Sequence, residues 1–181
     1  MHFQELDIAG SWLIEPEPYV DNRGIFRRNF CAKEFANHGI NTSIMQCNIS
    51  ENPIQHTLRG FHYQLAPHGE GKTISCFSGG LYDIIVDLRP DSKTHLKWIS
   101  ISIDARNKRN IYVPPGCANA YLTMEPNTFV HYYMTELYMP ESYRGFCFND
   151  PNFNFVWPAL PALISEKDKN LPFFDSSLRN Q

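Results

Sequence analysis

Short runs of apolar, β-branched or aromatic residues follow one another along this chain, divided by polar turn segments. Residues 44–50, 57–64, 73–77, 81–88, 97–103, 110–113, 118–123 and 128–135 are rich in β-branched or aromatic side chains. That composition suits a pleated, half-buried strand. Turn chemistry separates the runs, as in Gly79-Gly80, Pro90-Asp91-Ser92, Pro114-Pro115-Gly116 and Glu125-Pro126-Asn127. Short strands at this spacing predict an all-β fold, a closed barrel or a jelly roll, rather than alternating strand and helix units. One helix is predicted near the start, over 32–38, with Gly39 as its stop. Beyond Pro140 the chain is rich in Pro and Asn yet carries Phe146, Phe148, Phe153, Phe155 and Trp157. So apolar a tail is expected to pack across the barrel. No repeat, low-complexity tract or linker divides the sequence, so residues 1–181 are expected to form a single domain.

Composition narrows the function classes. Hydrophobic residues make up 43% and charged residues 19%, an ordinary globular balance. A formal net charge of -3 supplies no basic field for nucleic acid. No window reaches the apolar length of a membrane span, and Met1-His2-Phe3-Gln4-Glu5 lacks the basic and apolar regions of a secretion signal. The 5 cysteines (Cys31, Cys47, Cys76, Cys117, Cys147) are scattered, with no CxxC pair. They read as reduced thiols. A cytoplasmic protein with neither nucleic-acid nor membrane partners is expected.

The densest chemistry lies in Leu58-Arg59-Gly60-Phe61-His62-Tyr63-Gln64, followed by Lys72. A guanidinium, an imidazole and an ammonium at this spacing suggest an anion held beside a proton-transfer centre. Simple alternation puts Phe61 and Tyr63 on one strand face and Leu58, Gly60, His62 and Gln64 on the other. A lone strand histidine is more often structural than catalytic. An H-x-H metal pair is broken by Gln64, and no other histidine has ligand spacing, so no metal is expected. Arg59 and Arg23 are permanent planar cations suited to phosphate, although an isolated arginine more often forms an ion pair. Gln46-Cys47-Asn48-Ile49-Ser50 sets alternate polar residues on one face. A polar face inside a small barrel is costly unless something binds there. Asp168, in Ser165-Glu166-Lys167-Asp168, reads by itself as a solvated acidic turn.

Taken in order, Asp21 to Phe26, Gln46 to Ser50, Leu58 to Gln64, Lys72, Asp83 to Arg89, Pro114 to Ala118, Tyr138 to Pro140, Asn149 to Pro151, Trp157-Pro158 and Ser165 to Asp168 resemble the dTDP-4-dehydrorhamnose 3,5-epimerase family. The resemblance spans nearly the whole chain. It implies a cupin-type jelly-roll β-barrel with short flanking helices, free of metal and cofactor. It also implies a homodimer exchanging N-terminal strands. The implied substrate is a nucleoside-diphosphate 4-keto-6-deoxy sugar, epimerised through an enolate. By the same resemblance His62 is the general base, oriented by Asp168. Lys72 stabilises the oxyanion and Tyr138 returns a proton to the opposite face. Arg23, Arg59, Gln46 and Asn48 hold the diphosphate and nucleotide, and Phe26 packs on base or sugar.

Two positions depart from the family pattern. Asn119 replaces a histidine, keeping a hydrogen-bond donor but losing the capacity to carry a proton, which suggests inversion at one stereocentre only. Arg28 stands where the family has a glutamate near the nucleobase. A guanidinium offers only donors, so a base edge made of acceptors fits it: CDP, or less readily GDP, rather than dTDP. The competing expectation is that Arg28 points to solvent or forms a salt bridge with a neighbour. Two alternative functions share the scaffold. A 3,4-ketoisomerase is disfavoured by Gln64, where such enzymes carry a second histidine. A non-catalytic nucleotide-sugar-binding module is disfavoured by the joint presence of His62, Lys72, Tyr138 and Asp168.

Overall fold

The computed structural model describes residues 1–175. In chain order the elements are β1 (His2–Glu5), β2 (Trp12–Glu15), β3 (Pro18–Asp21), β4 (Gly24–Arg27), α1 (Ala32–Ala36), β5 (Gln46–Asn52), β6 (Thr57–Gln64) and β7 (Lys72–Ser78). There follow β8 (Gly80–Asp87), β9 (Trp98–Asp104), β10 (Asn110–Val113), β11 (Cys117–Thr123), β12 (Thr128–Met134), β13 (Tyr143–Gly145), β14 (Leu163–Ile164) and α2 (Glu166–Lys169). One sheet runs β1-β2-β10-β7-β12-β5 and faces a second, β13-β6-β11-β8-β9, with β14 added in parallel beside β6. Two antiparallel sheets face to face make a jelly roll of the cupin type.

Alternation decides which side chains fill the interior. On β8, Leu81, Asp83 and Ile85 turn inward, whereas Ile84 and Val86 turn outward. Both sets are buried, and so residues 84–86 form an unbroken apolar run. The inner set meets Ile74, Ile111, Cys117, Tyr121 and Val130 from the neighbouring strands. Phe61, Phe146, Phe153, Phe155, Trp157 and Phe174 cover the outer set. The aromatic tail therefore does pack across the barrel; Phe61 stacks on Phe146 at 4.6 Å between ring centroids. On the other sheet, Phe35 of α1 and Ile40 seal Ile14 and Tyr112.

The predicted strands are present with ends shifted by a residue or two, and two of them, β6 and β10, match throughout. The helix is shorter than expected, ending at Ala36, with Gly39 at φ +71° in the turn beyond it. The sequence pattern missed the short strands β1 to β4, β13 and β14. β3 and β4 form a hairpin attached to neither large sheet. Its Tyr19, Val20, Ile25 and Phe26 are exposed.

Candidate active site

The site begins with a break in β6. Opposite β11, Asn119 pairs with His62 and Tyr121 with Arg59, so β6 carries one more residue than its partner between these two points. That bulge overturns the simple alternation expected for 58–64, which would turn Arg59 and His62 to opposite faces. Both line one cavity instead. Gly60 permits the bulge: its φ is +121°, and a Cβ there would meet Ala120 Cα at 2.5 Å.

The cavity, about 460 Å³, opens between the two sheets. In its wall His62 Nε2 lies 2.8 Å from Asp168 Oδ1. An ionised carboxylate only accepts, so Nε2 carries the proton and Nδ1 the lone pair. Asp168 is fixed in turn. Its Oδ2 accepts from Gly60 N at 3.3 Å, and its own N–H donates to the Ser165 hydroxyl at the start of α2. Burial alone would raise the Asp168 carboxyl, but hydrogen bonds from His62 and Gly60 outweigh it and hold it below the ordinary value. The isolated reading of Asp168 as a solvated acid is thus corrected: it is 5% exposed.

Lys72 closes a second buried network. Its Nζ donates to His62 O at 3.0 Å and to Asn119 Oδ1 at 3.1 Å, and it is ion-paired with Glu70 Oε1 at 3.0 Å. Asn119 Nδ2 donates at 3.1 Å to Asp83, a wholly buried acid. Desolvation pushes the Asp83 carboxyl up to about 7, against the opposing pull of Asn119 and Lys72.

Tyr138 is held on the rim by its backbone. Its N–H donates to Gln46 Oε1 at 2.7 Å, while Gln64 accepts from Met139 N and donates to Leu137 O. Gln64 is buried in this clamp. The Tyr138 ring stands edge-on to Tyr143, 5.5 Å away, and Tyr143 lies 5.3 Å from the His62 ring. Lys167 Nζ sits 4.0 Å over the Tyr143 ring.

Eight of the predicted residues therefore share one cavity: His62, Asp168, Lys72, Tyr138, Gln46, Asn48, Arg59 and Asn119. Arg59 is steadied by Asn52, whose Oδ1 accepts from its Nε at 2.8 Å. Three others stand outside. Arg23, on the turn of the β3–β4 hairpin, pairs with Asp21 at 2.6 Å, and Phe26 is 71% exposed on the same hairpin. Arg28 pairs with Glu34 at 3.3 Å, the competing expectation for that residue. The cavity wall also holds Glu70, Tyr132 and Tyr143, to which the sequence assigns no role. Inward alternation of Val130, Tyr132 and Met134 along β12 was a usable signal for Tyr132; Glu70 had none. Among the described residues no three His, Cys, Asp or Glu side chains converge as a metal-ligand set, and no helix is long and apolar enough to cross a membrane.

A jelly roll whose interior holds a His–Asp pair against a buried lysine defines a cupin-type isomerase. The chain belongs to the dTDP-4-dehydrorhamnose 3,5-epimerase family, whose model matches residues 5–176. It is 36% identical over 173 residues to a Sinorhizobium fredii protein of that name, covering 95% of this chain and 89% of that one. A crystal structure of dTDP-4-dehydrorhamnose 3,5-epimerase from Bacillus anthracis with TDP and PPi bound superposes with a TM-score of 0.92 at 34% identity, over 96% of this chain and 99% of the other. A 3'-monoepimerase from Streptomyces bikiniensis in complex with dTDP-quinovose gives a TM-score of 0.86 at 29% identity, over 93% and 85%.

Proposed function

We propose that this protein inverts C5, C3 or both of a nucleoside-diphosphate 4-keto-6-deoxy sugar in deoxysugar biosynthesis, with residues 1–181 acting as one cytoplasmic domain. The observation that carries the reading is the His62–Asp168 pair beside Lys72 in one cavity. The C4 carbonyl acidifies the neighbouring C–H bonds. His62 Nδ1 removes such a proton, and the imidazolium that results is stabilised by Asp168. Lys72 meets the oxyanion of the enolate, a preorganised charge of the kind that contributes several kcal/mol to catalysis. Tyr138 returns a proton from the opposite face. Tyr132 lines the same cavity and is the rival for that step. The reaction is redox-neutral, so base, cation and acid suffice without metal or cofactor.

Arg59, Gln46 and Asn48 hold the diphosphate and nucleoside at the mouth. Arg23 and Phe26 complete the site from a second copy of the chain, as the exposed apolar β3–β4 hairpin suggests. Arg28, with donors only, reads a cytidine base in preference to thymine. Deuterium exchange in D2O tests the activity. Incubation with CDP- and dTDP-linked 4-keto-6-deoxyhexoses is expected to place deuterium at C5, C3 or both; binding without incorporation would leave a binding module instead.

A further inference from the structure

Glu70 lies in the loop before β7 and is 5% exposed. Its Oε1 pairs with Lys72, and its Oε2 is buried with no hydrogen-bond partner. An unpartnered carboxylate oxygen inside a protein is unfavourable unless a donor arrives. Glu70 lines the same cavity as His62 and Lys72. Burial is the main reason that the Tyr132 and Tyr143 hydroxyls sit above their ordinary values, and the Glu70 charge adds to both.

Lys72 stands beside this carboxylate. An ammonium has three N–H donors; two are engaged, by His62 O and Asn119 Oδ1, and the ammonium is also ion-paired with Glu70 Oε1 at 3.0 Å. One donor remains, and a developing oxyanion that takes it competes with Glu70 for the ammonium. His62 O belongs to the β6 backbone, and Asn119 is anchored on Asp83. Glu70 is the side chain free to let go.

We infer that Glu70 is a specificity-determining residue: the C4 oxygen of the substrate takes its place on Lys72, and the released carboxylate accepts a hydrogen bond from the donor on the adjacent carbon, the C3 hydroxyl. A carbonyl and a hydroxyl on neighbouring carbons project side by side, the complement of an ammonium and a carboxylate side by side. The ligand class is therefore an α-hydroxyketone sugar with a free hydroxyl or amine at C3, and a C3 ether or deoxy centre is rejected. This inference rests on the epimerase reading.

The test compares a nucleoside-diphosphate 4-keto-6-deoxyhexose with its 3-deoxy analogue, following deuterium exchange at C5 in wild type, Glu70→Gln and Glu70→Leu. Wild type is expected to favour the 3-hydroxy substrate in kcat/KM by roughly ten- to hundredfold, the worth of a hydrogen bond to a charged acceptor. That preference shrinks in Glu70→Gln, which keeps an acceptor without the charge, and vanishes in Glu70→Leu. Equal handling of both substrates by wild type overturns the inference while leaving the epimerase reading intact. So does a loss in the Gln variant that is proportionate for the two substrates, which would mean Glu70 acts only through Lys72. No exchange with either substrate in wild type overturns both.

Discussion

Asp168 Oδ1 and His62 Nε2 lie 2.8 Å apart although 106 residues separate them in the chain. The contact exists because β14 adds beside the start of β6, which delivers α2 against the bulge at Gly60. With Asp168 accepting from both His62 and Gly60, the imidazole has one orientation and one tautomer. His62→Asn is expected to lower C–H exchange by about 10²–10⁴-fold while leaving nucleotide binding nearly intact. Asp168→Asn should act in the same direction, because an amide can turn a donor toward Nε2 and leave the proton on Nδ1. Exchange at the wild-type rate in His62→Asn, followed by NMR in D2O, would remove the base assignment.

The two candidate acids separate by experiment. Tyr138 stands on the rim, 47% exposed, whereas Tyr132 projects from β12 into the cavity. Tyr138→Phe should permit deuterium exchange at carbon yet reduce net inversion, because the base survives and the opposite-face acid does not. Tyr132→Phe should leave the ratio of inversion to exchange unchanged. If the two variants behave the other way round, the acid is Tyr132.

Asp83 makes stability depend on pH. Its buried carboxyl holds a proton up to about pH 7, against 3.8 for an ordinary aspartate. Between those values the unfolded chain releases a proton that the folded chain keeps, so stability falls as pH rises through this window and levels off above it. Asp83→Asn cannot titrate and escapes this loss. Thermal unfolding should show the variant gaining on wild type by on the order of a few kcal/mol between pH 4 and pH 8. An unchanged difference across that range would mean that Asp83 does not titrate in the fold.

Gly60→Ala is expected to destabilise the protein by about 3 kcal/mol, combining left-handed backbone strain with overpacking against Ala120. Activity should fall further than stability alone requires, since the same bulge aims Arg59 and His62 into one cavity. Chemical denaturation alongside exchange assays measures both.

For the nucleobase, matched CDP-, GDP- and dTDP-sugars should be turned over fastest as CDP, and Arg28→Glu should move the preference toward dTDP. Releasing Arg28 from Glu34 is easy, since an exposed ion pair contributes under about 1 kcal/mol. A wild-type preference for dTDP would return Arg28 to its ion pair with Glu34.

Local rules governed the part of the molecule legible in its residues. β-Branched and aromatic runs bounded by turn residues located β5 to β12, the aromatic tail announced its own burial, and the ordered motifs named the family and most of the cavity wall. The rest depends on contacts between residues distant in sequence. Asp168 looks like a surface acid until β14 brings it under His62, and Glu70 is one more charged loop residue until Lys72 and the two sheets enclose it. Arg59 and His62 share a face because of one extra residue in β6, which no periodicity shows. Burial and partnership, which set proton affinity and hydrogen-bond demand, are properties of the packed sheets and not of any window of sequence.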